Sequence, residues 1–203
     1  MELATPALLV DLDALEANLA RMAAHVESGG KLLRPHAKAH KCPEIARRQL
    51  ELGAVGICVA TAPEAEVMSA AGITGLLLTS PLADPRKMAR AVRTGAMVVV
   101  DHAAQARWYE AAAREAGREV DVLVDLDVGD HRTGARSTEQ ALEIARAVDA
   151  APHLRLRGIQ AYSVLGSHAG DSARRQAVSD QAFAGAIATA AAFSRAGLCA
   201  AIL

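Results

Sequence analysis

Seven short apolar runs of β type recur along this chain, and a stretch of helical periodicity separates most of them. They are LLRPHAK (32–38), GICVA (56–60), GLLLTS (75–80), MVVVD (97–101), VDVLVDLD (120–127), LRGIQAY (156–162) and CAAIL (199–203). Strand, helix, strand at roughly 20–40 residue intervals is the signature of parallel βαβ units. The helices are equally readable. Leu12, Leu15, Leu19, Met22 and Val26 step by three and four and mark an amphipathic helix that ends near Gly29-Gly30. Ser137-Thr138-Glu139-Gln140 has the form of a capping box, opening a helix whose Ala141, Ile144, Ala145 and Val148 share a face and whose end is the Asp149–Pro152 turn.

No low-complexity linker interrupts the series, so residues 1–203 are expected to form one α/β domain. Polar residues cluster at the C-terminal ends of the predicted strands: Lys38, Thr61, Ser80, Asp101 with His102, Asp127 through Arg132, and Gln160 with Tyr162. In a TIM-type (β/α)8 barrel those ends build the active face, and the opposite face is mainly structural. An open doubly wound sheet also places ligands there, but the glycine-rich nucleotide fingerprint of that fold is missing. The barrel is the expected fold. It is expected to be incomplete, because seven strands are one short of closure and an open sheet leaves two unpaired edges. The count predicts a chain that stops before its fold does.

Composition narrows the partners. Of 203 residues, 52% are hydrophobic, which suffices for a real core and predicts a soluble globule. A formal charge of −1 and an aromatic content of 2% argue against nucleic acid. The opening MELATPALLVDLD has no basic leader, and Asp11 breaks its apolar run, so neither a signal peptide nor a membrane span is predicted and the cytoplasm is the expected compartment. Cys42, Cys58 and Cys199 are scattered and odd in number, the pattern of reduced, buried thiols rather than of a disulfide or zinc framework.

Three stretches could carry chemistry. In LLRPHAKAHKC, Arg34, His36, Lys38 and His40 alternate, so a strand would gather all four on one face. Lysine forms Schiff bases with aldehydes, and one aimed into a barrel is costly unless paired or used; a strand-end lysine reaching solvent is the equally ordinary reading. In VDLDVGDHRTGA, Asp125 and Asp127 alternate, Gly129 permits a sharp turn, and Arg132 follows the strand end. That arginine could face an anionic ligand oxygen, although the stretch alone favours a loop salt bridge with Asp130 or Asp127. In GIQAYSVLGSHAGD, Gln160 and Tyr162 alternate at a strand end, where a tyrosine could lie against an aromatic ligand and a glutamine could bond to its rim. His168, in the following loop, is a candidate base or metal ligand, though a lone loop histidine is usually neither. His36 and His40 are not expected to bind metal: their spacing suits a helix, the segment reads as strand, and no HExxH-type glutamate accompanies them.

Taken in order, TPALLVDLDALEANLARM, RPHAKAHK, GICVATAPEAEVM, VDLDVGDHRTG and LRGIQAY resemble the D-threonine aldolase and D-serine dehydratase family, pyridoxal phosphate enzymes of the alanine-racemase-like fold. RPHAKAHK is the most diagnostic element. The resemblance implies that Lys38 holds pyridoxal 5'-phosphate through its aldehyde, that Arg132 faces the cofactor's phenolic oxygen, and that Gln160 and Tyr162 line its ring. It implies a lyase that cleaves β-hydroxy D-amino acids to glycine and an aldehyde, the wording DLDVGDHRTG being closer to the aldolases. The alternatives are a D-serine dehydratase or amino-acid racemase, a non-catalytic pyridoxal phosphate-binding protein, and an inactive truncated remnant. Family members also carry a glycine-rich phosphate-binding stretch after a late strand and a C-terminal β domain with ligands for a divalent metal (Mn, Mg or Zn). This sequence contains neither, so no metal ligand is expected in it. Pairing into a homodimer is a further family implication. After QAY the sequence reads SVLGSHAGD, a departure from the family pattern that leaves the role of His168 open.

Overall fold

A computed structural model describes residues 4–203. Five strands, β1 (Ile57–Val59), β2 (Leu76–Leu78), β3 (Met97–Val100), β4 (Val120–Asp127) and β5 (Leu154–Tyr162), form one sheet. Each pairs in parallel with the next, in the order β1-β2-β3-β4-β5. Unbroken sequential order is the wall of a barrel, whereas a doubly wound sheet would reverse it. The helices are α1 (Leu12–Ser28), α2 (Pro43–Glu51), α3 (Ala62–Ala70), α4 (Pro85–Arg93), α5 (Ala103–Glu115), α6 (Thr138–Asp149) and α7 (Ser172–Arg195).

Seven strands are expected and five form. The first and last predicted segments lie in the right places, but each makes only a single bridge, His36 with Cys58 and Ile202 with Gly158. Cys58 N–H donates to Pro35 O at 2.8 Å, and Ile202 N–H donates to Arg157 O at 3.0 Å. Among the described residues each segment bridges a neighbour on one side only. Pro35 has no N–H to offer, and the chain then enters a 3-10 turn at Ala37–Ala39. Gly158 is what lets the last segment dock: at φ +140°, a Cβ there would lie 2.1 Å from Ile202 O.

The strands read as continuous apolar runs because both faces are covered. Outward-facing Val98, Val100, Val122, Val124 and Leu126 pack under the helices with Met88, Tyr109 and Ile144. Inward-facing Cys58, Leu77, Val99 and Leu123 form a second, smaller core with Met97 and Ile202. The helix starts follow local chemistry. Asp11, Thr61, Asp84 and Ser137 each accept a backbone N–H of the first helical turn. The predicted capping box at Ser137 is half formed, since the Gln140 side chain accepts from the Arg136 N–H rather than from that of Ser137. Ala141, Ile144, Ala145 and Val148 are buried as expected. The apolar stripe of α1 behaves differently: none of its residues is buried among the described ones, and Met22 is 51% exposed.

Candidate active site

A cavity of about 250 Å³ opens at the C-terminal ends of the strands, on the inner side of the sheet, and Lys38, Arg132, Gln160 and Tyr162 all line it. The four come from three places in the chain: Lys38 from the 3-10 turn after the first segment, Arg132 from the loop after β4, and Gln160 with Tyr162 from the end of β5. The sheet's register assembles them. Asp125 pairs with Gln160 and Asp127 with Tyr162, so the loop leaving β4 falls beside the β5 tip.

Lys38 is positioned by its own neighbour. Its backbone N–H donates to His36 Nδ1 at 3.2 Å, while His36 Nε2 lies 3.2 Å from the Thr79 hydroxyl, which sits 3.2 Å from Val59 O. A backbone N–H can only donate, so Nδ1 carries no proton and the ring is neutral with its hydrogen on Nε2. Burial, reinforced by the Lys38 charge, holds His36 below the usual imidazole range, in keeping with that neutral form. Arg34 and His36 line the cavity with Lys38, but His40 does not. The 3-10 turn breaks the alternation expected from the sequence, and His40 instead accepts the Cys42 N–H at 3.0 Å.

Arg132 makes neither of the loop salt bridges that its local sequence favours. Asp127 is taken up by the N–H groups of Gly129 and His131 and by the His131 ring, and Asp130 accepts the Val164 N–H. The guanidinium of Arg132 lies over the Tyr162 ring, 4.9 Å from its centroid. Gln160 Nε2 donates to Asp125 Oδ1 at 2.7 Å and to Thr79 O at 3.0 Å.

Several residues fall outside the expectation. Thr79 lines the cavity, where the strand-end reading points to Ser80; the signal is its alternation with inward-facing Leu77. Thr133 and Cys58 also face the cavity. Burial pushes the Cys58 thiol up to about 11, so it stays protonated and inert. All three cysteines are free, yet only Cys58 is buried: Cys42 precedes α2 and is half-buried, and Cys199 is exposed in the last segment. Thr61 and His102 serve as helix caps, and Asp101 accepts from the Gln105 side chain of α5. His168 ends a short 3-10 turn, exposed and off the cavity wall. Among the described residues no group of three or more His, Cys, Asp or Glu side chains could hold a metal ion. No described helix is long and apolar enough to cross a membrane.

A parallel sheet in sequential order, with a lysine, an arginine and a tyrosine gathered at the carboxyl ends of its strands, defines a domain of the barrel class. The chain belongs to the alanine racemase N-terminal domain family, whose model matches residues 10–200. It is 38% identical over 189 residues to the 3-hydroxy-D-aspartate aldolase of Paracoccus denitrificans (strain Pd 1222), covering 90% of this chain and 49% of that protein. Its structure matches the crystal structure of D-threonine aldolase from Filomicrobium marinum with a TM-score of 0.94 at 39% identity, over 98% of this chain and 55% of that one. D-threo-3-hydroxyaspartate dehydratase from Delftia sp. HT23 matches with a TM-score of 0.90 at 32% identity, over 98% of this chain and 54% of the other. The chain spans about half the length of the curated relatives it matches.

Proposed function

We propose that this chain is the cofactor-holding part of a pyridoxal phosphate-dependent lyase that cleaves β-hydroxy D-amino acids to glycine and an aldehyde. The observation that carries the reading is the convergence of Lys38, Arg132, Gln160 and Tyr162 on one cavity. The donor set suits the cofactor's ring. Lys38 offers the amine that an aldehyde requires. The Arg132 guanidinium offers partnership to an anionic phenolic oxygen, and its stacking on Tyr162 holds it at the wall. When bound, the cofactor supplies an electron sink for the bond broken at Cα. His36 does not serve as the base for the β-hydroxyl proton, because both its ring nitrogens are engaged.

Similarity to D-threonine aldolase and 3-hydroxy-D-aspartate aldolase supports cleavage over other outcomes. Similarity to the dehydratase supports a second reading, elimination of the β-hydroxyl as water. Incubation with pyridoxal phosphate, borohydride reduction and peptide mass spectrometry should find the pyridoxyl group on Lys38 and not on Lys31 or Lys41. Label elsewhere, or full labelling of Lys38→Ala, would overturn the assignment. Release of an aldehyde from D-threonine with added manganese identifies the aldolase, and ammonia with a keto acid identifies the dehydratase.

A further inference from the structure

Beneath the cavity wall lies a carboxylate that the reading above does not use. Asp125 is 1% exposed and does not itself line the cavity. Its Oδ1 accepts from Gln160 Nε2 at 2.7 Å, whereas its Oδ2 is buried without a well-formed hydrogen bond, the Thr133 hydroxyl being near enough only to favour the charged form. A buried carboxyl with one idle oxygen is expensive to keep, so its position calls for a use.

The use is visible in what Gln160 has left. Its amide has two N–H groups, and they go to Asp125 Oδ1 and Thr79 O. Thr79 O is a backbone carbonyl and can only accept, which settles which end of the amide is nitrogen. The carbonyl oxygen Oε1 has no protein partner among the described residues and belongs to a side chain on the cavity wall. We propose that Asp125 is a positioning residue: by accepting from Gln160 it locks the amide with Oε1 toward the cavity, so the ligand atom that meets Gln160 must carry a proton. This rests on the cofactor-binding reading for the identity of the ligand, and not for the orientation of the amide.

The role requires an acceptor at Oδ1 and does not require charge. Burial pushes the Asp125 carboxyl above the usual range, with Asp101 adding to the effect, and its protonated form still offers an acceptor. Asp125→Asn keeps that acceptor and Asp125→Leu removes it at similar shape. Two readouts on the full chain separate the possibilities: the side-chain NH₂ resonances and proton exchange of Gln160 by NMR, and the dissociation constant of pyridoxal phosphate by absorbance titration. In the wild type and in D125N, the Gln160 NH₂ protons should exchange slowly and the cofactor should bind with similar affinity. In D125L the NH₂ protons should shift and exchange fast, with affinity falling roughly tenfold. Unchanged Gln160 signals in D125L would overturn the proposal. So would D125N losing as much as D125L, since charge would then carry the effect. Should D125L not fold, Asp125→Ala replaces it, and fast-exchanging Gln160 NH₂ protons in the wild type would refute the lock by themselves. Failure of the wild type to bind pyridoxal phosphate would defeat the cofactor reading, while the NMR result would still decide the role of Asp125.

Discussion

Replacing Tyr109 by phenylalanine should make this protein more stable. Tyr109 lies in α5 at 0% exposure, packed in the core between sheet and helices, and its hydroxyl has no hydrogen-bond partner among the described residues. Burial alone pushes the phenol far above its usual range, a sign that nothing nearby compensates the lost water. An unpaired buried hydroxyl costs about 1–3 kcal/mol. Phenylalanine keeps the ring and leaves a void of roughly 10 Å³, which at ~24 cal/mol per Å³ returns only about 0.2 kcal/mol of that gain. The net expectation is a gain of about 1–2.5 kcal/mol, or roughly 2–10 °C in Tm for a chain of this size. Urea denaturation followed by circular dichroism measures it: the midpoint should rise with an unchanged slope. A loss of about 1 kcal/mol or more would mean that the hydroxyl is bonded in solution, and would refute the reasoning.

Gly158→Ala should detach the last segment from β5, because the new Cβ would meet Ile202 O and the backbone is held at φ +140°. A cost of about 1–3 kcal/mol is expected, with faster hydrogen exchange at the Ile202 amide; retained protection there would count against the docking role. Acid should destabilise the fold through Asp127. Burial works against its charge, but the N–H groups of Gly129 and His131 and the His131 ring outweigh it and hold the carboxyl below the usual range. A folded pKa below the unfolded one means that its stabilisation is present above about pH 3.9 and is lost as pH falls through the depressed value. Asp127→Asn should therefore flatten the acid limb of a stability-versus-pH curve, and an unchanged limb would exclude Asp127 as its source.

The parts of this fold that sequence makes legible are those in which local pattern and tertiary burial agree. GLLLTS and MVVVD read as strands because both their faces are covered, and Ser137 reads as a cap because its bond is to its own helix. Lys38, Gln160 and Tyr162 could be picked out because strand ends carry chemistry in this architecture. What stayed hidden depends on partners distant in sequence. Local sequence offers Arg132 two aspartates, and only the β4–β5 register reveals that it lies over Tyr162, while Asp127 is bonded within its own loop and Asp130 accepts from Val164. Thr79 rather than Ser80 faces the cavity because pairing with β1 and β3 sets the phase of a three-residue strand. His40 leaves the row of cations because a 3-10 turn has a different period from a strand, and nothing in HAKAH marks where one gives way to the other.

Two aspartates on one strand show how the same residue type divides between structure and chemistry. Asp121 and Asp125 stand four apart on β4, on the same inward face, with Leu123 of the inner core between them. Asp121, at the amino end, accepts from Arg155 and Arg157, and both its oxygens are used. Asp125, at the carboxyl end, meets one amide and keeps an oxygen idle. At the amino end the carboxylates of Asp121 and Glu119 are thus paired with Arg155 and Arg157. At the carboxyl end, Arg132 faces an aromatic ring, Gln160 keeps its carbonyl free, and Lys38 has no ion pair among the described residues. Among the cavity-lining side chains, Lys38, Arg132 and Gln160 keep bonding capacity that the fold does not use, and all three stand beyond the inner apolar layer at the carboxyl end of the sheet.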